Sequence, residues 1–259
     1  MLKAGIFLDV DNLSFNGGWG MRYSVIRDLV NAQETTIVRA NAYLAADFER
    51  EEFDHEYRMR SEEFRNAMRR AGFHLILKPV KRYFNDDGDT VVKANADLDL
   101  AVDALLQSEN LDYVLLGTGD GDFLRLVRAL QNRGKRVDLL SFDNTSSELR
   151  REVDNFFSGF LVPGLMASRS EAQRGRGVIY SVKEGREYGF LNMRTGLGVG
   201  DVQSNVFCHV NDFDPRISSD QLMRYKREGA ILEFDAIRQG EEKYKAENIQ
   251  VFDWRGRKT

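Results

Sequence analysis

Two apolar runs in this 259-residue chain end on carboxylates. Ala4 to Leu8 leads into Asp9-Val10-Asp11-Asn12, and Val114 to Leu116 leads into Gly117-Thr118-Gly119-Asp120-Gly121-Asp122-Phe123. Each reads as a strand, a tight turn and the start of a helix. In an open α/β sheet, ligands bind beyond the carboxyl ends of the strands, so acids delivered there face a site rather than the core. Asp97, ahead of a helical stretch, is a third source of charge. Hard cations bind carboxylate oxygens. Apposed carboxylates raise one another's pKa unless a cation offsets them. The expectation is that Asp9, Asp97, Asp120 and Asp122 converge and hold a divalent metal.

Local chemistry offers each residue another role. Asp11 and Asn12 suit a turn or a helix cap, and Asp122, just before a helix, suits an N-cap. Asp120, between two glycines, has less reason to cap. Thr118 either bonds the turn backbone or orients water at the metal. Asp99 and Asp103 read as a solvated helix face.

The elements that must position these residues alternate between strand and helix. Strands are expected at 4–10, Thr36 to Leu44, Phe73 to Leu77, Tyr113 to Gly117 and Arg136 to Leu140. Between them lie helices at Tyr23 to Val30, Phe48 to Ala71, Asp97 to Leu106, Phe123 to Asn132 and Ser147 to Phe157. The apolar stripe of the third is read as Leu98, Ala101, Val102, Leu105 and Leu106. This alternation predicts a parallel sheet with helices on both faces. Asn85-Asp86-Asp87-Gly88 reads as a turn.

Pro163 to Gly177 is small, polar and basic and marks a boundary. The resulting division is a first domain over 1–163, a linker over 164–174, a second domain over 175–253 and a basic tail over 254–259. Short β segments at Gly177 to Tyr180, Tyr188 to Leu191, Val206 to Val210, Ala230 to Phe234 and Ala246 to Phe252 are spaced like a small antiparallel barrel.

The composition, 42% hydrophobic and 30% charged, is that of a globular protein. No apolar run approaches the ~20 residues of a membrane span, and no signal peptide is evident, so a cytoplasmic location without membrane association is expected. Cys208 stands alone, which excludes an internal disulfide and a thiolate zinc site. Residues 174–259 hold 15 Lys/Arg against 13 Asp/Glu, and the rest holds 22 against 28, so bulk charge does not mark a nucleic-acid binder. Local basic groups do gather, at Arg58, Arg60, Arg65, Arg69, Arg70, Lys78, Lys81 and Arg82, and a phosphate backbone could follow that strip.

Phe7-Leu8-Asp9-Val10-Asp11-Asn12, Lys93 ahead of Asp97 to Leu105, and Gly117 to Phe123 resemble the three signature blocks of the NYN domain family. These are PIN-like nucleases that include the LabA-like bacterial proteins. The resemblance covers about residues 1–163 and implies a PIN-like three-layer α/β/α fold and metal-dependent RNA cleavage. It carries the acidic positions to Asp9, Asp97, Asp120 and Asp122, the Asn to Asn12 and the small hydroxyl to Thr118. Mg²⁺ or Mn²⁺ is the implied cofactor, lowering the pKa of a bound water during in-line attack. Products with 5′-phosphate and 3′-hydroxyl ends are implied.

In the second domain, Tyr188-Gly189-Phe190 and Val206-Phe207-Cys208-His209 place aromatics at alternate positions. Periodicity alone favours a barrel core, whereas an outward platform would stack single-stranded nucleic acid. The two strands resemble the RNA-binding motifs of a cold-shock domain, which implies an OB-fold barrel with Tyr188, Phe190, Phe207 and His209 as stacking positions. An ungapped reading places Ser181 where many cold-shock domains carry a Trp. Lys183, Arg186 and Arg194 would lie near the platform, with Arg174 and Arg176 before it.

The expectation is therefore a ribonuclease tethered to a barrel that holds single-stranded RNA, its oligomeric state open, a homodimer included. Two rivals stay open: a non-catalytic RNA-binding regulator, and a phosphatase of the haloacid-dehalogenase type, because Asp9-Val10-Asp11 and the Gly-Asp-Gly-Asp loop echo that family's motifs.

Overall fold

A strand covered on both faces needs an unbroken apolar run, and the computed structural model places two such runs side by side. It describes residues 1–84, 90–93, 96–166, 174–183, 185–240 and 243–255, with the backbone alone at 82–84 and 90–93. The turn expected at Asn85 to Gly88, most of the expected linker, the end of the basic tail and the side chains of Arg82 and Lys93 lie outside the described residues. The chain divides into two compact units, Met1–Ser158 and Gly159–Thr259.

The first unit runs β1 (Leu2–Asp9), α1 (Val10–Leu13), α2 (Tyr23–Asn31), β2 (Thr35–Ala46), α3 (Phe48–Phe53), α4 (His55–Arg70), β3 (His74–Pro79), β4 (Lys81–Phe84), β5 (Thr90–Lys93), α5 (Asp97–Gln107), β6 (Tyr113–Gly117), α6 (Leu124–Gln131), β7 (Arg136–Ser141), α7 (Ser147–Glu152) and β8 (Asn155–Ser158). Six parallel strands form one sheet in the order β3-β2-β1-β6-β7-β8, and β4 and β5 form a separate hairpin. This is the expected PIN-like α/β architecture. The chain winds outward to β2 and β3 on one side of β1 and to β7 and β8 on the other side of β6. The order therefore reverses between β1 and β6, where Leu8 lies opposite Gly117. A crevice opens beyond the strand ends at such a point.

Three departures have local causes. The long helix expected from Phe48 breaks at Asp54, whose side chain accepts from the Tyr57 N–H and caps α4. The helix expected to reach Phe157 stops at Glu152, and Asn155–Ser158 pairs with β7 as an edge strand. On α5 the stripe holds only in part: Ala101 and Leu105 pack against the core as expected, but Leu100 and Ala104 are the fully buried residues, while Leu98, Val102 and Leu106 are exposed. Leu98/Val102/Leu106 and Leu100/Ala104 have the same spacing of four, so periodicity does not choose between them. Hydrogen bonds from Tyr43 to Asp103 and from Asn41 to Gln107 fix the choice.

In the second unit β9 (Gly175–Val182), β10 (Tyr188–Arg194), β11 (Val202–His209), β12 (Ile231–Arg238) and β13 (Tyr244–Val251) close a five-stranded barrel in the order β10-β11-β13-β12-β9. The sequence reading missed α8 (Ser219–Glu228), which begins with a capping box between Ser218 and Gln221 and ends at Gly229 in a left-handed conformation. Cys208 is buried in the barrel core with Leu191, Val206, Leu232 and Phe234, and burial pushes its thiol up to about 12.

Candidate functional site

The acids at the reversal point are held by the turns that follow β1 and β6. Asp9 ends β1 and is buried. One of its carboxylate oxygens accepts from the Asn12 N–H at 3.1 Å, capping α1, and the other accepts from the Thr118 hydroxyl at 3.3 Å. Asn12 Oδ1 accepts from the Gly119 N–H at 2.8 Å, so the two strand ends are joined by side chain and backbone together. The approach leaves no room at Gly119, where a Cβ would stand 2.9 Å from Ser141 Oγ. Asp120, not Asp122, accepts from the local backbone, taking the Asp122 N–H at 2.9 Å. Thr118 Oγ1 accepts from the Asp120 N–H at 3.2 Å. Asp11 accepts from the Ala45 N–H on β2 at 2.7 Å.

Electrostatics tie Asp97 to this group. Burial above all, and then the charges of Asp97 and Asp11, push Asp9 up to about 7, against the pull of its bonds to Asn12 and Thr118. Burial followed by Asp120, Asp122 and Asp11 raises Asp97. Asp11 is raised by burial. Asp9, Asp11, Asp97, Asp120 and Asp122 therefore share one field. Asp99 and Asp103 do not join it and are not a free solvated face: Asp99 pairs with Lys78 at 2.7 Å and Asp103 accepts from Tyr43 at 2.9 Å. Oxygen donors with raised proton affinity suit a hard cation such as Mg²⁺ or Mn²⁺. Among the described residues, no three acidic, His or Cys side chains stand close enough together to close around an ion.

The NYN domain model matches residues 3–163, most of the chain and all of this site. The chain belongs to the NYN domain family. NYN domains are PIN-like nuclease domains that generally use divalent metals. One similar protein is the "Low amplitude and bright protein LabA" of Synechococcus elongatus, 24% identical over 161 residues, covering 60% of this chain and 82% of that protein. A crystal structure of a protein of unknown function from Vibrio parahaemolyticus is similar over 61% of this chain and 92% of that one, at 29% identity and a TM-score of 0.49.

Outside the NYN match, the barrel turns its aromatics outward. Tyr188 lies opposite His209 and Phe190 opposite Phe207 across β10 and β11, while Leu191, Val206 and Cys208 point inward. The rings are half-exposed and meet one another, with centroids 5.4 Å apart for Tyr188 and Phe207 and 6.1 Å for Phe190 and Phe207. The core placement that periodicity favoured is thus reversed for these four residues. His209 Nδ1 accepts from the Asn211 N–H at 3.1 Å.

Sequence reasoning missed Tyr180. β9 bulges where Phe190 pairs with Ser181 and Leu191 with Ile179, leaving Tyr180 as the extra residue. Tyr180 is exposed, and its hydroxyl hydrogen-bonds Asn205 on β11, reaching over the outside of β10. An ungapped alignment cannot anticipate that extra residue.

Of the basic groups, Lys183 and Arg186 are exposed in the β9–β10 turn. Arg194 is instead half-buried and donates to the carbonyls of Leu197 and Gly198. Arg176 pairs with Glu233 at 2.8 Å, and Arg174 pairs with Asp235 at 3.2 Å. On α4, Arg65 is buried against Glu51, so the expected strip is interrupted there.

On the reading of this face as a stacking platform, replacing Phe190 and Phe207 together by Ala should weaken binding of single-stranded RNA by about 30-fold or more, at ~1–3 kcal/mol per stacked base, while the barrel stays folded. Fluorescence anisotropy together with circular dichroism would check this.

Proposed function

We propose that the chain is a metal-dependent ribonuclease that hydrolyses phosphodiester bonds in single-stranded RNA. The observation that carries this reading is the acidic group at the β1/β6 reversal, where Asp9 is bonded to Asn12 and Thr118 and where burial first, and then the charges of Asp97 and Asp11, push its carboxyl up to about 7. Asp9, Asp97, Asp120 and Asp122 would hold Mg²⁺ or Mn²⁺. The chemistry such an ion supplies when bound is stabilisation of charge on phosphate oxygens and a nucleophile available at neutral pH. Thr118 and Asn12 are positioning residues: one fixes the second oxygen of Asp9, and the other locks the Gly119 turn against α1. The barrel, read as a cold-shock-like OB-fold, would hold the strand on Tyr188, Phe190, Phe207 and His209, with Lys183 and Arg186 near the phosphates. Tethering raises the local concentration of RNA around the nuclease unit.

A second reading, a non-catalytic RNA binder, is favoured by the lack of a closed ligand group among the described residues. End-labelled single-stranded RNA incubated with Mn²⁺, with and without EDTA, separates the two. The nuclease reading expects cleavage that EDTA stops, leaving 5′-phosphate ends. Binding without cleavage in any divalent metal would decide for the alternative.

A further inference from the structure

Beyond Asn12 and Leu13 the chain makes an irregular turn, Ser14–Gly18, kinked at Asn16 and Gly17, and two large aromatics, Phe15 within it and Trp19 just after it, face solvent: Phe15 is 81% exposed and Trp19 72%. Neither is loose. Asn16, between them, donates to the Asn12 carbonyl at 2.8 Å, accepts from the Asn144 amide at 3.0 Å, and its own carbonyl accepts from the Asp143 N–H at 2.9 Å. Gly18 is packed so closely that a Cβ would stand 2.6 Å from the Phe142 ring and 2.7 Å from the Leu13 carbonyl oxygen. The indole of Trp19 lies on Phe64 with centroids 5.5 Å apart and planes 17° from parallel, which covers one face and leaves the ring largely in solvent. Phe64 in turn meets Tyr23 edge-on at 6.2 Å. The Tyr23 hydroxyl is buried, without a hydrogen-bond partner among the described residues, and feels the charge of Asp11. The exposed pair is thus continuous with the acidic group through Asn16 and Asn12 on one side and through Phe64 and Tyr23 on the other.

We infer that Phe15 and Trp19 form a base-stacking subsite of the nuclease unit, which takes an unpaired nucleobase of the RNA strand next to the phosphate held at the acidic group. This rests on the ribonuclease reading and adds to it a specificity for single-stranded substrate. Every base has a π-face, so a rigid ring beside the reacting phosphate attracts any unpaired nucleotide. Bases stacked inside a duplex offer no such face. The acidic surroundings favour an uncharged contact of this kind over a basic one, because stacking brings no cation to compete for the carboxylates.

The test uses the full chain carrying Asp120→Asn to prevent cleavage and Phe190→Ala with Phe207→Ala to weaken the barrel face. In Mn²⁺, Trp19→Ala should weaken binding of a labelled single-stranded octanucleotide about 5–100-fold by anisotropy, and Phe15→Ala should do so in the same direction. Trp19→Phe should retain most of the affinity, and a duplex of the same length should bind all of them equally. In the cleaving chain, Trp19→Ala should raise KM more than it lowers kcat. Phe15 is so exposed that its truncation cannot be confused with unfolding. Unchanged single-strand affinity in both Ala variants would overturn the inference, as would a Trp19→Ala effect confined to oligomeric state, which would make the patch a protein contact. Failure of the wild-type chain to cleave any RNA would instead sink the ribonuclease reading, while the octanucleotide titration still reports on the subsite.

Discussion

Asp9→Asn should abolish RNA cleavage without destabilising the protein. The two carboxamide and carboxylate side chains have nearly the same shape, and the Asn oxygen can still accept from the Asn12 N–H that caps α1. What disappears is a negative charge that burial and the Asp97 and Asp11 carboxylates disfavour. Loss of a partner that merely orients a metal ligand costs about 10–100-fold in affinity or activity, so loss of the direct donor that the ribonuclease reading makes of Asp9 should cost at least about 100-fold. Asp120→Asn should behave alike, and the double variant should show no turnover. The RNA binding proposed for the barrel should be unaffected, since those residues lie in the other unit. Thermal unfolding at pH 8 should place the Asp9→Asn midpoint at or above that of the wild type. Cleavage by the double variant at the wild-type rate would remove the acidic group from the mechanism.

The same carboxyl sets a pH dependence. With Asp9 pushed up to about 7 in the folded chain, from 3.8 for the ordinary group, the native state holds a proton that the unfolded state has released between those values. Stability from this group is therefore present at low pH, declines as pH rises from about 4 to 7, and is gone above 7; the ceiling is about 4 kcal/mol. A divalent cation held as proposed would have to displace that proton below pH 7 and would meet a ready anion above it. Mn²⁺ should thus raise the melting temperature more at pH 8 than at pH 6, and Asp9→Asn should flatten that difference. Equal Mn²⁺ shifts at both pH values in the wild type would place the ion elsewhere.

The strand ends and their acids were legible because two different constraints coincide in them: an unbroken apolar run marks a doubly covered strand, and glycines next to aspartates mark a turn rather than a core. The face of α5 was not legible, because two sets of apolar residues compete at equal spacing and polar bonds from Tyr43 and Asn41 decide between them. The aromatics of β10 and β11 show the limit of period-two reasoning, which finds the alternation but not which side of the barrel it faces. There the inward positions are filled by smaller residues, Leu191, Val206 and Cys208, which pack a narrow barrel. Arg65, Arg174 and Arg176 read as free positive charge, yet each is committed to an acid distant in sequence or on another strand. Asp138 attracted no notice, since a lone acid in a short strand carries no pattern.

Asp138→Ala should be among the most destabilising substitutions in the first unit, at about 3–5 kcal/mol. Asp138 is fully buried in β7 and accepts from the Tyr113 hydroxyl at 2.9 Å, from Arg136 at 2.7 and 3.1 Å and from the Asn155 amide at 3.0 Å. Truncation leaves these donors facing a cavity, and a guanidinium beside it without its counter-charge. For a unit of this size the midpoint of thermal unfolding should fall by about 10 °C. Asp138→Asn keeps an acceptor and should lose less. The loss should also be local before it is global. Residues 147–157 have a sequence that reads as helix, and β8 forms at the sheet edge, where Asn155 is tied to Asp138 and Asp154 accepts from the Val137 N–H at 2.7 Å. With Asp138 removed, hydrogen exchange at Asn155–Ser158 should accelerate well before exchange in β1 or β6. Uniform acceleration across the sheet would mean that the edge strand owes its conformation to its backbone pairing with β7 and not to this buried carboxylate.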